Sequence, residues 1–171
     1  VTWTLPEFLS DSLLLTLISA MLVIPYLLFT PLSGRLAVIF SKQKVYMYCK
    51  LCEFPIILLA CIALITHSIF FCVFSVFLMG VQSCLGSPSK YGIIRDIEGE
   101  EKIAYGNGMM EMMSFVGILL GTILGTMLSE LVSIWIICAL MLLFTTISFI
   151  TVYRLKIVEI PSEKPIFNTI N

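Results

Sequence analysis

Long apolar stretches separated by short polar segments dominate the chain. They predict five transmembrane helices, over residues 12–33, 45–65, 69–93, 104–128 and 131–153. At about 1.5 Å of rise per residue, about 20 residues cross a hydrocarbon core of about 30 Å. The charge-free run of residues 54–89 is too long for one crossing, so Thr66-His67-Ser68 is predicted to reverse the chain. Pro25 is predicted to kink the first span, and Pro31 to end it or bend it.

The composition predicts a membrane protein and gives no indication of a catalytic or metal site. Hydrophobic residues make up 59% of the sequence and charged residues 12%, which is too little polar surface to cover a soluble globule. Cys49 and Cys52 form a Cys-x-x-Cys, but no second pair accompanies them, and His67 is the single histidine. No metal site, cofactor, enzymatic activity or nucleic-acid binding is therefore predicted. The predicted fold class is an all-α polytopic membrane protein.

The basic residues predict the orientation in the membrane. They fall in three groups: between or beside the first and second spans, between the third and fourth, and after the fifth. The groups are Arg35, Lys42, Lys44 and Lys50, then Lys90, Arg95 and Lys102, then Arg154, Lys156 and Lys164. The positive-inside rule puts these three segments in the cytoplasm and Val1 outside. Residues 96–102 have the charge density of a water-exposed loop, and residues 154–171 are predicted to be a cytoplasmic linker. Since no signal pattern precedes the first span, we expect a preceding helix that this chain lacks.

Residues 80–96 are the predicted substrate path. Gly80, Gly86 and Gly92 lack side-chain bulk, Pro88 lacks a backbone donor, and Lys90 ends the charge-free run. Broken, polar segments persist in a bilayer only where protein or a water-filled cavity satisfies them. Lys90 and its neighbour Tyr91 are therefore predicted to bind substrate. The alternative for Lys90 is an interfacial charge that snorkels to water.

Other charged residues lie within or beside the spans. Lys50 and Glu53 share a helix face, and form either a self-contained interfacial pair or part of a network with Lys90 and Glu111. Asn107 and Glu111 are four residues apart, so the amide is placed to hydrogen-bond the carboxylate. Burying that carboxylate is costly, so Glu111 is predicted either to face a cavity and bind substrate with Asn107, or to reach cytoplasmic water.

Gly117, Gly121 and Gly125 stack on one side of the fourth predicted helix. Small residues at this spacing let another helix approach closely in a bilayer. They predict either a fixed packing contact or a face that slides during a conformational cycle.

Three passages resemble bacterial lysophospholipid transporters of the major facilitator superfamily. Residues 80–94, Gly-Val-Gln-Ser-Cys-Leu-Gly-Ser-Pro-Ser-Lys-Tyr-Gly-Ile-Ile, are similar to their fourth-helix signature. Residues 106–112, Gly-Asn-Gly-Met-Met-Glu-Met, with the following Gly-Ile-Leu-Leu-Gly-Thr-Ile-Leu-Gly, are similar to their fifth helix, and the third passage is Lys50-Leu-Cys-Glu53. The resemblance implies that the chain forms helices two to six of the N-terminal six-helix half.

Residues 34–44 are similar to the loop between helices two and three of that superfamily. The matching positions are Gly34, Arg35, Lys42 and Lys44. Val38 and Ile39 stand where that loop usually has an acidic residue followed by a basic one.

The resemblance also implies a function. The expected activity is inward movement of lysophospholipid, with lysophosphatidylethanolamine as the expected substrate, across a bacterial inner membrane by alternating access, with Lys90 meeting the phosphate. The alternatives are a superfamily transporter of another amphiphile or drug, or the membrane module of a fused acyltransferase and acyl-carrier-protein synthetase. Lacking a first helix and a second half, this chain is predicted not to transport alone.

Overall fold

The computed structural model describes residues 11–154, which fold into long α-helices joined by short turns. These are α1 (Asp11–Ile39), α2 (Lys42–Thr66), α3 (Ile69–Glu98), α4 (Ile103–Leu131) and α5 (Ile134–Arg154), with a short 3-10 turn at Glu100–Lys102. All 5 helices are long and apolar enough to cross a membrane. The predicted all-α membrane fold is confirmed. Residues 1–10 and all but the first residue of the predicted linker lie outside the described part.

The prolines do not interrupt the helices that contain them. α1 continues through Pro25 and Pro31, and α3 continues through Pro88. Each proline removes one helical hydrogen bond, which neighbouring helices and Ser or Thr side chains can compensate within a bilayer. The third span is thus one continuous helix through Pro88, and of the two alternatives for Pro31, an end of the first span is wrong.

The turn between α2 and α3 lies at residues 66–68. His67 has a left-handed backbone conformation, with φ 51°, and its N–H donates to the carbonyl of Ala63. A left-handed residue after the last helical position satisfies a free carbonyl and ends the helix. Because the connections are short, successive helices alternate in direction. The end of the bundle that holds the α1–α2 turn and the α3–α4 connection is called the basic end below.

α3 is the helix on which α1 and α2 pack, whereas α1 and α2 touch each other only sparsely. A Cβ added to Gly80 would lie 3.0 Å from Pro25 Cγ and 3.1 Å from the Leu22 carbonyl oxygen on α1. One added to Gly86 would lie 3.5 Å from Cys49 Cβ on α2. The glycines of α3 therefore serve close helix approach, for which lipid supplies no hydrophobic driving force.

A buried ion pair fixes the start of α2 to the end of α3. Lys42 Nζ donates to both carboxylate oxygens of Asp96, at 2.9 and 2.8 Å, and the two side chains are 10% and 0% exposed. Gly92 makes room, since a Cβ there would lie 2.9 Å from Lys42 Cδ. The prediction of a water-exposed loop starting at Asp96 is thus wrong, because α3 continues to Glu98 and buries this carboxylate.

We expect Gly80→Ala to destabilise the protein by about 1–3 kcal/mol, since the methyl group would press on a proline ring and a backbone carbonyl, neither of which moves easily. Gly86→Ala is the matched control on the same helix, where the added carbon makes ordinary contacts. The measurement is unfolding of the purified protein in detergent. Equal stabilities of the two variants would contradict this account of the α1–α3 contact.

Breaking the Lys42–Asp96 pair from either side should leave an uncompensated buried charge and cost about 3–5 kcal/mol. The double variant Lys42→Met/Asp96→Asn should be less destabilised than the sum of the single variants, because it leaves no charge behind. Detergent unfolding of all three proteins gives the coupling, with the exposed Lys102→Met as control. Additive effects would mean that the two side chains do not act as a pair.

Candidate functional site

A polar cavity of about 430 Å³ lies between α1, α2, α3 and α4. Its wall is formed by Tyr26, Tyr46, Lys50, Glu53, Met79, Gln82, Ser83, Gly86, Ser87, Lys90, Tyr91, Ser114 and Ile118. Most of these side chains can donate or accept hydrogen bonds, which is unusual inside helices of membrane-spanning length. Within the stretch of residues 80–96, the residues that border this cavity are Gln82, Ser83, Gly86, Ser87, Lys90 and Tyr91. That the stretch forms a substrate path stays a prediction.

Helical spacing explains how the sequence builds this wall. On α2, Tyr46, Lys50 and Glu53 are separated by four and three residues and so share one face. On α4, Ser114 and Ile118 continue the face that carries Glu111. On α3, Ser83, Gly86 and Ser87 leave open the volume that leucines would fill, and the rest of its contribution comes from Met79, Gln82, Lys90 and Tyr91.

The charges in the cavity are not fully paired. Lys50 Nζ contacts Glu53 Oε2 at 2.8 Å, and both side chains are largely shielded, at 17% and 13% exposed. Lys90 forms no ion pair with any described residue. Its Nζ lies 5.8 Å from the ring centroid of Tyr91, within the range of a cation–π contact. Since Lys50 and Glu53 cancel, Lys90 adds one uncompensated positive charge to the wall.

Tyr91 links the cavity to α4. Its hydroxyl donates a hydrogen bond to Oε1 of Glu111. Asn107, whose amide was expected to donate to this carboxylate, forms no hydrogen bond with it in the described structure. The buried Oδ1 of Asn107 also has no hydrogen-bond partner among the described residues. Glu111 is therefore held from α3 across the helix interface, and its expected pairing with Lys90 is not formed.

The remaining sequence-predicted residues lie away from the cavity. A Cβ added to Gly117, Gly121 or Gly125 would meet nothing within 4 Å. This glycine face of α4 is uncovered by the described helices, so its packing partner stays a prediction. In residues 34–44, Gly34 and Arg35 are exposed, Lys42 is held by Asp96, and Lys44 borders a separate groove.

That second space is an apolar groove of about 670 Å³ along α1, α2 and α3. It is lined by Leu36, Phe40, Lys44, Val45, Tyr48, Cys49, Cys52, Ile56, Leu78, Val81, Gln82 and Leu85. Gln82 borders both spaces, and its Nε2 donates to the carbonyl of Cys49 at 3.2 Å. This bond closes the α2–α3 contact between the groove and the polar cavity.

Four residues that line the cavity or pair a buried charge were not predicted from the sequence. Tyr46 was detectable, because it lies one turn before Lys50 on the same helix. Ser114 likewise follows Glu111 by one turn. Tyr26 lies within an apolar span that gives no such signal, and Asp96 was assigned to a loop.

The arrangement can bind a ligand, and the described residues offer no reactive centre. A lysine without a carboxylate partner among the described residues, several hydroxyls and the carboxylate of Glu53 suit an anionic or zwitterionic head group. Among residues 11–154, no cluster of three or more His, Cys, Asp or Glu side chains could hold a metal ion.

We expect Gly121→Leu to impair folding or transport in the full natural protein, because the larger side chain would push apart the helix that packs there. Gly121→Ser should be tolerated, since it adds polarity with little bulk. Membrane abundance and transport are the measurements. Equal effects of the two changes would show that this face points to lipid.

Comparison with known proteins gives a family and two named relatives. The family model described as "Major Facilitator Superfamily" matches residues 2–168. Proteins named "Lysophospholipid transporter LplT" from Yersinia pestis (strain Pestoides F) and Yersinia pseudotuberculosis serotype I (strain IP32953) are each 31% identical over 135 residues. The matched region covers 78% of this chain and 32% of each relative, so the chain spans about a third of their length. No solved structure matches.

Proposed function

We propose that this chain, which belongs to the major facilitator superfamily, forms part of a transporter that moves lysophospholipids across a bacterial inner membrane. The observation that carries the substrate class is the unpaired Lys90 in the wall of the polar cavity. The relatives named as lysophospholipid transporters support the same class. Family and relatives alike indicate a transporter rather than an enzyme.

The cavity chemistry supports a phosphate-bearing cargo. Lysine binds phosphate as a point charge, and hydroxyl groups can donate to the remaining phosphate oxygens. Tyr26, Tyr46 and Ser87 supply such hydroxyls in the wall of the cavity that Lys90 also lines. A phosphate would thus provide a counter-charge for Lys90, which has no carboxylate partner among the described residues.

A zwitterionic head group is favoured over a simple anion. The expected substrate, lysophosphatidylethanolamine, carries an ammonium group as well as a phosphate. Glu53 borders the same cavity, and its carboxylate can accept hydrogen bonds from that ammonium. A cationic drug, the alternative cargo, would meet the like charge of Lys90.

The proposed orientation places the basic end in the cytoplasm and the start of α1 outside, as the positive-inside rule requires. Inward movement would then carry the head group from the opposite end of the bundle toward Lys90, which is close to the basic end of α3. The proposed mechanism is alternating access through rocking of two six-helix halves, of which this chain forms helices two to six. Superfamily membership supports this mechanism.

We expect Lys90→Ala to abolish lysophospholipid uptake by the full natural protein at normal membrane abundance, because the cargo phosphate loses its counter-charge. Lys90→Arg should retain part of the activity, since the charge is kept while the geometry changes. Uptake of labelled lysophosphatidylethanolamine into cells is the measurement. Lys102→Ala, an exposed charge at the same end of the bundle, is the control and should transport normally.

Normal uptake by Lys90→Ala would make this lysine an interfacial anchor and remove the proposed site. Loss of membrane abundance in Lys90→Ala, with normal uptake per molecule, would have the same consequence.

A further inference from the structure

The apolar groove lies on a different face of α3 from the polar cavity. Its floor on α3 is Leu78, Val81 and Leu85, whereas the cavity is bordered on α3 by Ser83, Ser87 and Lys90 among others. α1 and α2 both pack on α3 but touch each other sparsely, and the groove and the cavity lie on different faces of α3. The groove is therefore a second site, separate from the proposed cargo site.

The groove has the length of one membrane leaflet. On α2 its lining begins at Lys44 and ends at Ile56. Twelve helical steps of about 1.5 Å span about 18 Å, and half of the hydrocarbon core measures about 15 Å. Between these ends, apart from Tyr48 and the amide of Gln82, the lining side chains are hydrocarbon or thiol.

A cation and an aromatic ring lie at the mouth of the groove. Lys44 is exposed and forms no ion pair with any described residue, in contrast to Lys42, which Asp96 holds. Tyr48, one turn further along α2, is 61% exposed. Tyrosine and lysine at a helix end are typical of the head-group level of a membrane.

We propose that this groove binds one acyl chain of a bilayer glycerophospholipid, whose phosphate pairs with Lys44. A groove of this shape gains dispersion contacts only when apolar atoms fill it, and a single flexible acyl chain fits its length and chemistry. The phosphate completes the site by neutralising Lys44 at the surface. This ligand is not the cargo, because the Gln82–Cys49 hydrogen bond and the packed α2–α3 contact separate the groove from Lys90.

The test uses photoreactive phosphatidylglycerol, with a diazirine near the end of one acyl chain, in phosphatidylcholine vesicles that contain the full natural protein. After illumination, crosslinked peptides are mapped by mass spectrometry. Crosslinks should concentrate on the α3 peptide with Leu78, Val81 and Leu85, relative to exposed positions of α5 such as Phe144. They should also saturate as the mole fraction of the probe rises.

Variants at the mouth locate the head group. Lys44→Ala should lower the α3 crosslink yield at sub-saturating probe by about five-fold, the attraction of about one basic residue at a membrane surface. Lys44→Arg should keep most of the yield, and the exposed Lys102→Ala should leave it unchanged. Cys52→Phe should lower it by filling the groove, whereas Cys52→Ala should not.

Four results would overturn the proposal. Equal labelling of α3 and α5 would mean ordinary contact with the bilayer. Labelling of α5 without α3 would mean that another helix covers the groove. An unchanged yield in Lys44→Ala would remove the head-group contact. Displacement of the probe by lysophospholipid but not by diacyl phosphatidylglycerol would assign the groove to the cargo.

Discussion

The close approach of α3 to its neighbours is the constraint on which the rest of the structure depends. Within lipid, helices associate through packing and hydrogen bonds rather than by leaving water. Gly80 admits α1, Gly86 admits α2, and Gly92 admits the stem of Lys42. These contacts occupy only parts of the α3 surface. Of the remaining surface, one face borders the polar cavity and another borders the apolar groove.

Charged groups inside this bundle are handled in three ways, and the differences separate structural from functional charges. Lys42 is neutralised by Asp96 on another helix, with almost complete burial of both. Lys50 is neutralised by Glu53 on its own helix. Among the described residues, Lys90 has no carboxylate partner and lies near the ring of Tyr91. A partly shielded lysine without a carboxylate is costly unless water or a ligand reaches it, which supports the proposed binding site at Lys90.

Sequence reasoning predicted the helices well because membrane solvation imposes length and apolarity on each span separately. The reversal at Thr66-His67-Ser68 needed only the fact that residues 54–89 exceed one crossing. Contacts between helices are a different matter, since they depend on rotation and depth. The partners of Asp96 and Glu111, assigned in the sequence to water and to Asn107, therefore emerged only in three dimensions.

The end of α3 shows that a high density of charged residues does not always indicate a loop. Residues 96–102 look like a loop when counted, yet Asp96 continues the helical face of Gly92, four residues earlier. Gly92, which has no side chain, makes room for the stem of Lys42. Asp96 neutralises the charge of Lys42. Val38 stands where the similar superfamily loop usually has an acidic residue. Lys42 is nevertheless paired, because Asp96 supplies the carboxylate.

α4 has few contacts with the other described helices. Gly106 is its one buried residue, and its contacts with α3 and α5 are sparse. The hydrogen bond from Tyr91 to Glu111 is therefore a principal polar tie between α4 and the rest of the described bundle. Tyr91 also borders the polar cavity, beside Lys90. A ligand bound in this cavity would contact the side chain that ties α4 to α3, so the cavity and the helix with the fewest contacts in its wall are joined at one residue.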